Sequence, residues 1–338
     1  MKKLRGAVIG CGLIAEFHLR GWQRLPEVSI MALVDPDRAM AEDRRAQFAP
    51  TARTYASLEE ALAGEPLDFV DILTPPPLHA EHCLRAKAAG LHVICQKPLC
   101  DELEAARSLV AAFAGGPQLL CVHENHAYRP WFRQLAARHR EGFFGAIREL
   151  HLKQLDATHP PQRLNLEARR GVLLQYGIHF IDLVRQLLGV PLTISATVER
   201  TNPSVRGDSC ARVTFTYPAA TADIEVAWPD AGVAEGGMQL RGERGEARYD
   251  GTMIRGGASR YRLAQGKSVL LDETRSTVDD YVEAFFGFEQ AFVAALLHGA
   301  PAPQPAAENL QTLAMTFAAY ASAERKAPVS FADFLPPS

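Results

Sequence analysis

From Leu4 onward the chain alternates between short aliphatic runs and longer stretches whose apolar positions recur every three or four residues. The runs Leu4–Ile9, Ser29–Val34, Phe69–Leu73, Val93–Cys95 and Leu119–Val122 predict buried strands, because they are dense in aliphatic and β-branched side chains. The segments near Leu13–Arg24, Ala39–Phe48, Ser57–Leu62, His79–Ala89 and Glu102–Phe113 predict amphipathic helices between them. Ser57-Leu58-Glu59-Glu60 reads as a capping box, the serine oxygen and the glutamate each satisfying one free amide at a helix start. Strand and helix alternating in this way form a parallel sheet with right-handed crossovers.

After about residue 145 the period changes. Short strands are predicted at Ala146–Leu155, Leu192–Glu199, Ala211–Tyr217, Asp223–Trp228, Met238–Arg241, Ala247–Tyr249 and Ser268–Leu271, separated by Gly, Pro and Asp turn signals. Such a series makes a mainly antiparallel sheet. Two helices, Val278–Leu297 and Ala307–Glu324, close the chain across the proline-rich loop Ala300–Pro305. The expected organisation is therefore an α/β domain over residues 1–122 followed by an α+β domain over residues 123–338 with an open sheet.

The length of 338 residues supports a substantial core at about 150 residues per domain. Hydrophobic residues at 47% and charged residues at 22% are ordinary globular values, which excludes a disordered or collagen-like chain. With 36 Lys+Arg against 39 Asp+Glu there is no basic surplus to neutralise a phosphate backbone, so nucleic acid is not an expected partner. The six cysteines contain no CxxC pair and read as reduced thiols of a cytoplasmic protein. The basic start Met1-Lys2-Lys3-Leu4-Arg5 imitates a secretory leader, but the apolar stretch behind it is broken by Gly6, Gly10 and Gly12 and runs into Glu16. No membrane span is expected either.

Four segments carry candidate chemistry. Gly10-Cys11-Gly12-Leu13-Ile14-Ala15 follows the first strand and opens the first helix, giving GxGxxA where a dinucleotide pyrophosphate needs backbone to approach closely. Asp35, twenty positions beyond Ala15, ends the second strand; a carboxylate there accepts from ribose hydroxyls and repels a 2′-phosphate, favouring NAD. Arg38 keeps NADP open, since its guanidinium could reach such a phosphate. Thr74-Pro75-Pro76-Pro77, followed by His79, and Gln96-Lys97-Pro98 both stand at carboxyl ends of strands, where open α/β sheets bind ligands. On a regular helix, Gln175, His179, Asp182 and Gln186 fall on one polar stripe, and a histidine so flanked suits a general base with a held tautomer.

These motifs, in this order, resemble the glucose–fructose oxidoreductase / inositol dehydrogenase / MocA family of nicotinamide-dependent oxidoreductases over nearly the whole chain. The resemblance extends to the Gly242-Glu243-Arg244-Gly245 hairpin. It implies an N-terminal Rossmann domain, a C-terminal open and mainly antiparallel sheet, and a homodimer or homotetramer formed through the sheet's outer face. It also implies hydride transfer between NAD and a hydroxyl of a sugar, inositol or related polyol. In that scheme Lys97 positions the reacting hydroxyl and His179 is the general acid/base, with Gln175 and Asp182 as orienting groups. Cofactor contacts are expected from Gly10, Gly12, Leu13, Ile14, Asp35, Arg38, Thr74, Pro75, His79, Gln96 and Lys97.

The chain also departs from the pattern. Many members have glutamate where Gln96 stands and aspartate where Gln175 stands, and losing that second carboxylate removes a charged partner for Lys97 or His179. Relatives often place an arginine before the aromatic that corresponds to Tyr128, where this chain has Ala127. A changed substrate pocket follows, with Asn125, Tyr128, Lys153 and Arg169 as candidate contacts. His123-Glu124-Asn125-His126 lacks the i, i+4 histidine spacing of a zinc helix, and no metal is expected. Two other readings remain open at this point: an NAD-using glycosidase or lyase with transient oxidation, and a non-catalytic NAD(P)-sensing protein.

Overall fold

The structure is a computed structural model, and it describes residues 3–157, 167–232, 234–252 and 257–335. The chain divides into two compact units, residues 1–125 with 282–310, and residues 126–281 with 311–338. None of the helices among the described residues is long and apolar enough to cross a membrane.

The first unit is built on six strands, β1 (Leu4–Ile9), β2 (Val28–Val34), β3 (Arg53–Tyr55), β4 (Phe69–Ile72), β5 (His92–Gln96) and β6 (Leu120–His123). Their order is β3-β2-β1-β4-β5-β6, and every pairing is parallel. This is the doubly wound arrangement whose strand order reverses between β1 and β4. Helices α1 (Ala15–Trp22), α2 (Arg38–Phe48), α3 (Leu58–Gly64), α4 (His79–Ala88) and α5 (Leu103–Phe113) form the crossovers. The central strands are apolar because they are covered on both faces; all four residues of β4 and of β6 are buried.

Local chemistry sets the helix starts. Asp37 caps α2 by accepting from the amides of Ala39 and Met40 at 3.0 and 3.3 Å. Ser57 accepts from the amide of Glu60, and the Glu60 carboxylate takes the amide of Ala56, one residue earlier than the simplest capping box. The three-residue β3 was not anticipated, being too short to show a period. The sequence reading assigned residues 282–310 to the C-terminal domain, but their contacts belong to the first unit. There Phe292 meets Phe69 edge-on at 5.5 Å and the backbone at Gln304 and Pro305 pairs with β6.

The second unit holds a nine-stranded sheet in the order β14-β13-β12-β11-β7-β10-β9-β8-β15. Its members are β7 (Ile147–Leu155), β8 (Thr193–Glu199), β9 (Cys210–Thr216), β10 (Thr221–Ala227), β11 (Glu235–Gly242), β12 (Glu246–Asp250), β13 (Ala258–Gln265), β14 (Ser268–Ser276) and β15 (Val329–Ser330). Among the described residues of this sheet only β7 and β10 pair in parallel. Alternation of buried and exposed side chains along β7 and β9 shows a sheet with one covered face. The cover includes α7 (Ile178–Leu188), which contacts β7 and β10. Helices α6 (Pro130–Arg140), α8 (Thr277–His298) and α9 (Ala306–Arg325) complete the helix set described.

The approach to α7 is not regular helix. Residues Leu173–Gly177 form a π turn, so the residues ahead of His179 are wound about one residue per turn wider than expected. The predicted polar stripe therefore fails as a single line: Gln175 lies in the π turn, His179 and Asp182 are buried on α7, and Gln186 is exposed. Asp208 organises this entry from a distance, accepting from the amides of Gly171 and Leu173 at 2.7 and 2.8 Å and from the Tyr320 hydroxyl at 2.9 Å. A Cβ at Gly171 would lie 1.9 Å from the Asp208 carbonyl oxygen, which is why glycine opens this segment.

Candidate active site

Gly10 sits at the carboxyl end of β1 with φ +99, and a Cβ there would come within 2.9 Å of the Leu73 carbonyl. That contact seats the loop against the end of β4 beside Thr74. A Cβ at Gly12 would meet nothing within 4 Å. Among the described residues the backbone amides of Gly12, Leu13 and Ile14 donate to no protein acceptor, and they stand where α1 begins. Open space and free N–H groups at a helix start fit the pyrophosphate of a dinucleotide. Asp35 accepts from the amides of Cys11 and Asp37 at 2.8 and 2.9 Å, which orients its carboxylate at the end of β2 and leaves lone pairs for ribose hydroxyls. Arg38 opens α2 on the exposed side. Cys11 is not a nucleophile: burial pushes its thiol up to about 12.

Two expected cofactor contacts have other employment. His79 is fully buried, with Nδ1 2.9 Å from the Pro98 carbonyl and Nε2 2.7 Å from the Thr74 carbonyl. Its ring is a strut between the Thr74-Pro75 turn and the Lys97-Pro98 turn rather than a cofactor ligand. The Gln96 side chain is likewise engaged, accepting from the Lys97 amide at 2.8 Å and donating to His18 Nε2 at 3.1 Å. Thr74 and Pro75 remain at the carboxyl end of β4, half-buried and exposed respectively.

Lys97 leaves the end of β5 through a cis peptide to Pro98. Burial pulls its ammonium down to about 8, against the opposing attraction of the Glu124 carboxylate. Glu124 is the partner that the sequence reading missed. It follows β6, and the register that pairs Gln96 with His123 brings it beside Lys97. The carboxylate that position 96 lacks is supplied from the neighbouring strand.

In the second unit His179 is 5% exposed and its ring stacks on that of His126, with centroids 4.0 Å apart and planes 25° apart. Tyr176 stands edge-on to both, at 6.1 Å. The stack holds the plane of the His179 imidazole, a contact invisible in a sequence where the two residues are 53 positions apart. Asp182 was expected to orient His179. Its carboxylate gathers the Thr312 hydroxyl at 2.8 Å, Arg185 at 3.0 Å and Gln186 at 2.6 Å, anchoring α7 to α9. The arginine expected before the aromatic appears after it: Arg129 is fully buried with its guanidinium over the Tyr281 ring.

Of the expected substrate contacts, Asn125 is buried and Tyr128 half-buried in the short turn Asn125–Tyr128, and Arg169 is exposed. Lys153 stands on β7. Its ammonium lies 2.9 Å from Glu235 and 3.9 Å from Glu225, on strands β11 and β10 that flank β7, and makes a cross-strand ion pair on the sheet. Lys153→Ala is expected to leave turnover within about twofold in a steady-state assay; a larger loss would restore it as a substrate contact.

The fold also assembles a group that no local spacing announces. His18, His123 and Glu289, all buried, offer atoms within 4.8 Å of one another. Both ring nitrogens of His18 already have protein partners, Asp71 Oδ2 at 2.8 Å and Gln96 Nε2 at 3.1 Å. Burial pushes the Glu289 carboxyl well above the usual range, with Asp71 adding repulsion. His18 is thus committed to other partners, whereas neither buried carboxylate oxygen of Glu289 has a hydrogen-bond partner among the described residues. A Cβ at Gly21 would fall 1.8 Å from Glu289 Oε2, so the glycine makes room for it.

Residues 4–123 match the model of an oxidoreductase family with an NAD-binding Rossmann fold, and residues 132–248 match the GFO/IDH/MocA C-terminal domain. D-apiose dehydrogenase of Paraburkholderia graminis is 30% identical over 66% of this chain and 60% of its own length. D-apiose dehydrogenase of Rhizobium rhizogenes is 26% identical over 96% of both chains. The fold superposes with a TM-score of 0.88 on an oxidoreductase from Agrobacterium radiobacter solved with NAD+, L-tartaric acid and magnesium, 24% identical over 99% of this chain and 100% of that one. With both halves of the family pattern matched in order, and the glycine loop shaped for a dinucleotide, the chain belongs to the GFO/IDH/MocA family of NAD-binding oxidoreductases.

Proposed function

We propose that the protein is an NAD-dependent dehydrogenase that moves hydride between the nicotinamide and a ring hydroxyl, or the matching ketone, of a sugar, inositol or related polyol. The observation that carries this reading is Lys97, an ammonium at the carboxyl end of β5, poised near neutrality by burial and held charged by Glu124. Relatives named for the dehydrogenation of D-apiose support a polyhydroxylated substrate.

Gly10, Gly12, Leu13 and Ile14 would hold the pyrophosphate and Asp35 the ribose, which favours NAD over NADP. Thr74 and Pro75 would lie against the cofactor. When bound, NAD supplies the hydride acceptor. Lys97 binds the reacting oxygen and stabilises the negative charge that develops on it as hydride leaves carbon. His179 takes the hydroxyl proton, its ring plane held by His126, and Gln175 orients the group by hydrogen bond. The six unpaired cysteines suit a reducing, cytoplasmic setting. A homodimer or homotetramer is the assembly we infer, through the uncovered face of the nine-stranded sheet.

The test is absorbance at the reduced-nicotinamide band with a panel of aldoses, inositols and related polyols. At least one is expected to reduce NAD; tight NAD binding with no turnover across the panel would overturn the reading. The pH profile provides a second check. Only the protonated Lys97 stabilises an alkoxide, so kcat/KM is expected to fall above about pH 8, roughly tenfold per unit. Glu124→Gln removes the charge that favours the ammonium, so the alkaline limb is expected to move to lower pH. A limb that stays in place would separate Glu124 from Lys97.

A further inference from the structure

A carboxamide reports the protonation of its neighbours, because its oxygen only accepts and its nitrogen only donates. The Lys97 backbone amide, which can only donate, lies 2.8 Å from Gln96 Oε1. That contact settles which end of the carboxamide is which and leaves Gln96 Nε2 facing His18 Nε2 at 3.1 Å. A donor aimed at an imidazole nitrogen requires a lone pair there, so the His18 proton sits on Nδ1 and is donated to Asp71 Oδ2 at 2.8 Å. Trp22 Nε1 donates to the same oxygen at 2.8 Å. His18, Asp71 and Trp22 are buried in the core of the first unit, on α1 and β4, whereas Lys97 begins the turn that leaves the sheet.

We propose that Gln96 is a positioning residue, which pins the start of the Lys97 segment to the buried Asp71–His18 pair and does so only with His18 neutral and protonated on Nδ1. Four directed contacts run without a break from Trp22 and Asp71 to the Lys97 peptide. A carboxylate at position 96 would present acceptors to both the Lys97 amide and His18 Nε2, and the second contact would then demand an imidazolium. The glutamine avoids placing that additional charge pair beside the buried Glu289, whose Oε1 is 3.9 Å from His18 Nδ1, and against the His123 ring, 4.1 Å from that of His18. The residue type at 96 therefore sets the protonation of a histidine in the core as well as the placement of the next residue's backbone. Its consequence for catalysis rests on the reading of Lys97 as the group that holds the reacting oxygen.

The experiment combines histidine-selective isotope labelling with exchange and kinetics on the full-length protein. In the native protein His18 is expected to show a protonated Nδ1 and a bare Nε2, and Gln96→Glu is expected to convert that residue to the doubly protonated form. A native His18 protonated on Nε2, or an unchanged signature in Gln96→Glu, would overturn the proposal. Gln96→Leu, which keeps the bulk and loses both bonds, is expected to speed hydrogen exchange at the Lys97 amide by about tenfold or more. Unchanged exchange overturns it too. In turnover, Gln96→Leu is expected to lower kcat by about 10- to 100-fold with substrate KM and NADH affinity within about threefold. Native kcat in Gln96→Leu, where Lys97→Met is inactive, defeats the positioning role. Normal turnover in Lys97→Met would defeat the reading of Lys97 instead, and the tautomer and exchange measurements would still decide the clamp.

Discussion

Replacing Lys97 by methionine is expected to lower turnover by about three orders of magnitude while NAD affinity stays within about threefold. Methionine keeps the length and apolar stem of lysine and removes only the charge. The loss should fall on kcat, because an ammonium beside the reacting oxygen gains most of its interaction as the oxygen becomes an alkoxide. Stopped-flow absorbance at the reduced-nicotinamide band measures the chemical step, and a titration of NADH fluorescence measures the cofactor separately. A variant that turns over near the native rate would remove Lys97 from the chemistry.

The second large effect is expected at the glycine loop, and it separates two glycines that look alike in sequence. At Gly10 the backbone has φ +99 and a Cβ would meet the Leu73 carbonyl carbon and oxygen at 2.9 Å, atoms that have no room to yield. Gly10→Ala is expected to cost about 2–4 kcal/mol of stability and to weaken NAD binding by about 100-fold or more. At Gly12 a Cβ would enter open space. Gly12→Ala is expected to leave the melting temperature nearly unchanged and still to weaken NAD binding, since the methyl occupies the approach that the pyrophosphate needs. Thermal melts paired with NADH titrations distinguish the two; equal melting losses in both variants would contradict the assignment of distinct roles.

The parts of this site that the sequence made legible are those whose geometry is local. A glycine turn between a strand and a helix, an aspartate at the next strand's end and a lysine at the end of β5 are each fixed by a few consecutive residues, and the parallel order of the strands follows from their alternation with helices. What escaped depended on register or on distant segments. Glu124 reaches Lys97 only because β6 pairs with β5 so that His123 stands opposite Gln96. Asp182 also receives the Thr312 hydroxyl of α9, a contact between segments far apart in the chain that no helical pattern shows. The polar stripe assumed a uniform helical pitch, and the π turn at Leu173–Gly177 broke it. Lys153 was a candidate substrate contact in one dimension, and its cross-strand ion pair with Glu235 is visible only in three. Strand β13 also escaped, although Ser259, Tyr261 and Leu263 alternate inward along it, because arginines between them gave the segment a polar average.

The placement of residues 282–310 with the first unit has a consequence during synthesis. The aromatic face around Trp22, Phe69 and His123 is covered by Phe285, Phe288 and Phe292, which leave the ribosome only after the whole nine-stranded sheet except β15 has been made. The nascent nucleotide-binding half therefore emerges first and seals late, its apolar surface uncovered until α8 has been made. Cellular shielding of that surface is most needed in the interval before α8 arrives.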